Sequence, residues 1–145
     1  MTQATLLRTL GHQDANEALI LYNELTVGPE QKDPAVFQAV IDHPGTQVFG
    51  AFSESALAAI VTLHLLPNVL WDARPYALIE NVVTGRHFRR RGFGRQIMEH
   101  AIAAAWASGA YKIMLMTGQK RGAVGFYEAL GFSSEDKFAM VMRKD

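Results

Sequence analysis

The chain has 145 residues, 49% of them hydrophobic and 19% charged, which suits one domain with a single buried core and excludes a disordered chain. Lys plus Arg and Asp plus Glu both total 14, so the overall excess of positive charge expected of a duplex-DNA binder is missing. Cysteine is absent, which removes disulfides, zinc thiolates and thiol nucleophiles.

The first twenty residues lack the basic-then-apolar layout of a signal peptide. No apolar run reaches the length of a membrane span, so a cytoplasmic protein with no membrane partner is expected. "TLLRTL" (Thr5–Leu10) reads as an opening strand. A helix follows over His12–Leu25, with Ala15, Ala18, Leu19, Tyr22 and Leu25 near helical spacing. Asp33-Pro34 is an N-cap followed by proline at the first helical position, and the helix it opens runs through Ile41. His43-Pro44-Gly45 stops it.

"TQVFGAFSESALAAIVTLHL" (Thr46–Leu65) predicts a hairpin around Ser53-Glu54-Ser55. Its second arm has the near-continuous apolar content of a strand covered on both faces. Pro67–Tyr76 carries two prolines and reads as a loop. "ALIENVVT" (Ala77–Thr84) is a strand with one acid in its middle. An amphipathic helix begins near Gly92 and ends at Gly109. "YKIMLMT" (Tyr111–Thr117) is a strand, "GAVGFYEALGF" a short helix running into Gly131-Phe132, and "KFAMVMR" (Lys137–Arg143) an alternating last strand. The order β-α-α-β-β-β-α-β-α-β predicts an α/β fold as a single domain over 1–145. Its central mixed sheet would hold about six to seven strands, with helices on both faces. A crossover helix makes Ala77–Thr84 and Tyr111–Thr117 parallel neighbours.

The junction between Thr84 and the long helix carries the chemistry. The first amides of a helix lack intrahelical acceptors, and its dipole puts about half a positive charge at that end. A pyrophosphate fits there. Gly92 and Gly94 keep side chains away from those amides, and Arg89, Arg90 and Arg91 add guanidinium donors. A Walker A loop would need Lys then Ser or Thr where Arg95-Gln96 stand. A dinucleotide fingerprint would need three glycines. The R-x-x-G-x-G that remains is equally compatible with a basic loop capping a helix. Nucleic-acid binding through the arginines would need basic and aromatic residues spread over one face, and beyond Arg86–Arg95 the chain offers little such concentration.

"IENVVTGRHFRRRGFGRQIMEHAI", then "YKIMLMT", then "AVGFYEALGF" together resemble the GCN5-related N-acetyltransferase (GNAT) family over roughly residues 76 to 132. The resemblance implies acetyl-coenzyme A as cosubstrate and no metal. It implies a pyrophosphate site over Arg89, Arg90, Arg91, Gly92, Phe93, Gly94 and Arg95. The backbone of Val82, Val83 and Thr84 would pair with the pantetheine amides, and one such N–H would polarise the acetyl carbonyl. Tyr127 would protonate the departing thiolate; without the motif it is an ordinary half-buried aromatic. Where the family usually has a cofactor-binding asparagine, this chain has Lys120 with Gln119 beside it.

Glu80 is the one strongly charged residue of its strand. Strict alternation sets it on a face with Leu78 and Val82, with Ile79, Asn81 and Val83 on the other. Apolar surroundings would raise its pKa toward that of a general base for the acceptor amine; the alternative is a structural acid paired with an arginine such as Arg74. "I-E-N-V-V" is similar to the corresponding strand of glucosamine-phosphate and aminoalkylphosphonate acetyltransferases, which points to a small primary amine as acceptor. The position of His64 resembles a Leu-His-Leu of the latter group, and Trp71 and Arg74 are acceptor candidates by their loop location. The five histidines show no metal-ligand spacing. With no cysteine for an acetyl-enzyme, one-step attack by the amine is expected. A non-catalytic module binding coenzyme A or acyl-coenzyme A, and a protein N-acetyltransferase, remain open alongside it, as does a homodimer.

Overall fold

The computed structural model describes residues 4–144. The chain divides into two compact units, Met1–Met114 and Leu115–Asp145.

The first unit is built on a five-stranded mixed sheet in the order β1-β2-β3-β4-β5. Strands β1 (Leu6–Thr9), β2 (Thr46–Ser53), β3 (Ala56–Leu66) and β4 (Tyr76–Thr84) are successively antiparallel. The last strand, β5 (Ile113–Met114), runs parallel to β4 through Ala77↔Ile113 and Leu78↔Met114. The expected hairpin forms, with Glu54 at the turn in the left-handed region (φ 58°). Leu57 through Leu63 of β3 are all buried, as its unbroken apolar run requires of a strand covered on both faces.

Two helices cover one face. In α1 (Ala15–Asn23), Ala18, Leu19 and Leu21 pack with Phe37 of α2 (Pro34–Asp42) onto Val48, Ile60 and Val83. The start of α2 is the one predicted: Asp33 accepts from the Ala35 amide at 2.9 Å, and Pro34 takes the first helical position. Between β3 and β4 the expected loop contains a single turn, α3 (Leu70–Ala73), in which Trp71, Asp72 and Ala73 all have positive φ. The other face is covered by α4 (Phe93–Ala107), whose Ile97, Met98, Ala101 and Ala105 are buried at its 3.6-residue period. Burying Ile97 or Met98 fully contributes about 1.5–3 kcal/mol each. His100 of the same helix meets Phe49 edge-on at 4.9 Å. Gly109 (φ 84°) ends α4: its amide bonds Trp106 O at 3.0 Å, and that of Ala110 bonds Ala105 O at 3.1 Å.

The second unit holds a 3-10 turn (Gln119–Arg121) and α5 (Val124–Ala129). Gly131 (φ 103°) stops α5 by the same device, with Gly131 N on Glu128 O at 2.9 Å and Phe132 N on Tyr127 O at 3.1 Å. This gives the Gly-Phe that closes the tyrosine motif its local cause.

The strand count is lower than expected. Tyr111–Thr117 contributes only Ile113–Met114, and residues 137–143 form no strand. The alternation of Phe138, Met140 and Met142 specifies a face, but a strand also needs a ladder partner. None is present among the described residues, and those side chains are 99%, 91% and 97% exposed.

Candidate active site

Strand β4 ends in an irregularity that the sequence pattern does not reveal. Opposite β3, Thr62 pairs with Glu80 and Ile60 with Val83, so three steps on β4 match two on β3. The extra residue is taken up at Asn81, whose φ is 51°. This is a β-bulge on a residue type that tolerates the left-handed region. Directly opposed residues share a face, and Thr62 and Ile60 are two apart on β3. Glu80 and Val83 therefore lie on the same face, the one covered by α1 and α2. Strict alternation had separated them. Glu80 is partly buried, Asn81 exposed and Val82 partly buried. Among the described residues Glu80 forms no ion pair.

On its other edge β4 pairs with β5 only at Ala77 and Leu78. From Ile79 to Thr84 that edge has no ladder partner among the described residues. The chain then passes through a 3-10 turn (Arg86–Phe88) into α4. Gly92 caps the helix in the left-handed region (φ 87°), and a Cβ built there would meet nothing within 4 Å. The first backbone bond into the helix is Gln96 N to Gly92 O at 3.0 Å. The amides of Phe93, Gly94 and Arg95 have no backbone acceptor among the described residues, so this helix end is open and suited to an anion.

The arginines of this loop differ in their engagements. Arg89 donates from Nε to Thr84 O at 3.3 Å, tying the loop to the strand end. The Arg91 guanidinium lies 5.7 Å from the Phe88 ring centroid and 5.2 Å from that of Phe93. Arg95 pairs with Glu99 one turn along the helix at 2.8 Å. Arg90, with φ 61°, has no side-chain partner among the described residues.

The acceptor candidates do not come together. Arg74 donates to Gly109 O and Ala110 O, both at 3.1 Å, and so finishes the C-terminal end of α4. It is thereby not the partner of Glu80 that the structural reading required. Trp71 stacks on Tyr111 at 5.5 Å. His64 Nδ1 lies 2.8 Å from Thr46 Oγ1, which also meets His43 Nδ1 at 3.1 Å. Among the described residues no group of three His, Asp or Glu side chains is arranged to hold a metal.

A cavity of about 450 Å³ opens instead between α1, the α1–α2 connection, α2 and the bulge. Thr62, opposite Glu80, and Asn81, next to it, both line this cavity, as does Tyr22. The Thr62 hydroxyl is buried beside the Tyr22 phenol. Burial pushes the Tyr22 phenol above its usual pKa, and the neighbouring Thr62 hydroxyl partly offsets this. Asn23 closes the connection with two bonds to the Gln31 backbone, at 2.9 and 2.8 Å. Sequence reasoning missed this group of residues. Thr62, a polar residue on an otherwise apolar stretch of strand, was the available signal.

In the second unit, Gln119 and Lys120 are exposed on the 3-10 turn. Tyr127 packs edge-on against Phe126 and Phe132, at 5.1 and 6.2 Å between centroids. Burial raises the pKa of its phenol, and the charge of Arg121 lowers it somewhat. The group is thus held protonated, as a proton donor must be.

Comparison with known proteins gives the family. The model of the acetyltransferase (GNAT) family matches residues 13–132. Glucosamine 6-phosphate N-acetyltransferase of Trypanosoma brucei brucei is 26% identical over 135 residues, 90% of each chain. A solved structure described as "Putative acetyltransferase from Agrobacterium tumefaciens str. C58" is 40% identical with a TM-score of 0.89, covering 96% of this chain and 99% of the other. Glucosamine-6-phosphate N-acetyltransferase from Arabidopsis thaliana shares the fold at a TM-score of 0.81 and 21% identity, covering 99% of both chains. With the family model running from α1 through the glycine that stops α5, this chain belongs to the acetyltransferase (GNAT) family and is an N-acetyltransferase.

Proposed function

We propose that the chain, as one domain over 1–145, transfers acetyl from acetyl-coenzyme A directly to a primary amine of a small molecule. One observation carries this reading. The unpaired edge of β4 from Ile79 to Thr84 leads within one short turn to the open amides of Phe93, Gly94 and Arg95. A single stretch thus offers strand amides for an extended, amide-bearing ligand and helix amides for its pyrophosphate.

Acetyl-coenzyme A supplies the acetyl group as an activated thioester. Arg89–Arg95 hold the pyrophosphate mainly through backbone, with Gly92 and Gly94 leaving room for it and Gln119 and Lys120 as further contacts. The backbone of Val82, Val83 and Thr84 aligns the pantetheine arm, and one N–H there stabilises charge developing on the carbonyl oxygen. Glu80 takes the proton that the amine loses as its C–N bond forms. Tyr127 gives a proton to sulfur as the C–S bond breaks. One proton is taken and one given, so no net charge accumulates on the protein during the transfer. His64, Trp71 and Arg74 keep a role in shaping the acceptor side only through the elements they brace.

The experiment is free-thiol release from acetyl-coenzyme A across a panel of amines. Release with at least one amine is expected, and Tyr127→Phe should lower kcat about a hundredfold with little change in the KM for acetyl-coenzyme A. Tight cofactor binding without release for any amine would show a binding module instead.

A further inference from the structure

We infer that the cavity beneath the α1–α2 connection selects a primary amine with an uncharged, largely apolar body and rejects phosphorylated amines. This inference rests on the acetyl-transfer reading and names the acceptor class for that activity.

The lining makes the argument. Of the fifteen residues around the cavity, Glu30 alone is charged, and there is no Lys, Arg or His. A phosphate entering it would lose water without gaining a cation, and Glu30 would repel it; an unpaired buried anion is among the costliest arrangements a site can hold. Lys32, 3.6 Å from Glu30, is mostly exposed and lies outside the lining. The apolar part of the lining is open: Val27, Val36 and Val40 are 71%, 47% and 37% exposed. Such surface on a concave wall gains from being covered by an apolar ligand. The volume, about 450 Å³, accommodates a small aryl or alkyl body.

On the α1 and sheet side the lining offers the polar side chains of Tyr22, Thr62 and Asn81. Thr62 is 2% exposed, and its hydroxyl lies beside the Tyr22 phenol. It stands opposite Glu80 across the β3–β4 ladder and shares its face. An amine bound with its nitrogen toward Glu80 would meet the Thr62 hydroxyl and, beside it, the Tyr22 phenol. Thr62 is therefore a specificity-determining residue for the amine end, and Val27, Val36 and Val40 for the body.

The test uses the full chain with 2-phenylethylamine and glucosamine 6-phosphate as probes, read by thiol release and by calorimetric binding without acetyl-coenzyme A. Phenylethylamine should give the higher kcat/KM by about tenfold or more. Thr62→Val should raise the KM for phenylethylamine about five- to twentyfold with little change in kcat. A purely structural Thr62 would instead leave that KM unchanged. Val36→Lys, at an exposed position that folding tolerates, should weaken phenylethylamine binding about tenfold or more. A preference for glucosamine 6-phosphate overturns the inference and leaves the acetyltransferase reading intact. Phenylethylamine binding that Val36→Lys abolishes, with no thiol release from any amine, supports the cavity assignment and overturns that reading. Phenylethylamine that neither binds nor reacts overturns the inference, as does a concentration-dependent dimer that Val36→Lys dissociates, which would assign the valines to a second copy.

Discussion

The entry to α4 and the cavity beneath the α1–α2 connection are built by opposite rules. The first is one contiguous stretch, Thr84 to Arg95, rich in arginine and glycine, and its ligand-facing groups are backbone amides. The second draws single side chains from α1, α2, β3 and β4, and its lining carries one charged residue. A site made of amides suits a ligand part that does not vary, such as a pyrophosphate. A site made of side chains from several elements is where specificity can change without disturbing the helix end. The difference teaches where to look for the acceptor: in the side chains gathered by packing, since the charged loop is the part we propose for the cosubstrate.

The largest expected effect tests the amide rule. Gly94→Glu places a carboxylate at the open helix end and should abolish coenzyme A binding, a loss of about a hundredfold or more in calorimetry, with the cavity's amine binding retained. A variant that still binds coenzyme A normally would move the pyrophosphate elsewhere.

The bulge joins the two regions, so Asn81→Val comes next. A β-branched residue at φ 51° should cost about 1–3 kcal/mol of stability, visible as a lower melting temperature. Asn81→Gly, free of that strain, should keep both stability and cavity. Equal stability of the two variants would mean that the bulge relaxes away at no cost.

The cavity side should also respond to acid more than the α4 entry does. Asp14, just ahead of α1, accepts two 2.8 Å bonds from Arg8 and one from Gly11 N. The bond from Arg8, then that from Gly11 against the opposing cost of burial, holds its carboxyl below the ordinary value. A depressed folded-state pKa means the stabilisation is fully present above the unfolded value of about 4 and is lost as pH falls below it. Asp14→Asn should therefore lower the melting temperature by a few degrees at neutral pH, and the gap to wild type should narrow between about pH 4 and pH 2. A gap independent of pH would show that the carboxylate's charge is not what stabilises this corner.

Arg90→Ala should give the smallest effect, a loss of only a few-fold in coenzyme A affinity that shrinks with added salt. Its side chain has no partner among the described residues. A loss matching that of Gly94→Glu would reverse the ranking of amide over guanidinium.

Much of the fold was legible because its signals are local. The Asp33-Pro34 cap, the Gly109 and Gly131 stops and the Glu54 turn each act over four or five residues, and all form where the pattern puts them. The last strand was misjudged because alternation in Lys137–Arg143 speaks only for a face, whereas strand formation depends on a distant partner. Arg74 shows the same dependence on distant partners. Arg74 sits in a loop that looked functional, yet its donors are matched to carbonyls thirty-five and thirty-six positions along the chain.

By itself the amino-acid sequence determined the cap of α2, the glycine stops of α4 and α5, the hairpin and the open amide end of α4, since each of these is an arrangement of neighbouring backbone groups. Only the tertiary structure decided that the bulge at Asn81 turns Glu80 and Val83 to one face. It also decided that Thr62 is buried beside Tyr22 and that an almost uncharged cavity lies there. Those facts depend on register between strands and on which side chains packing brings opposite one another, and no short stretch of sequence carries either.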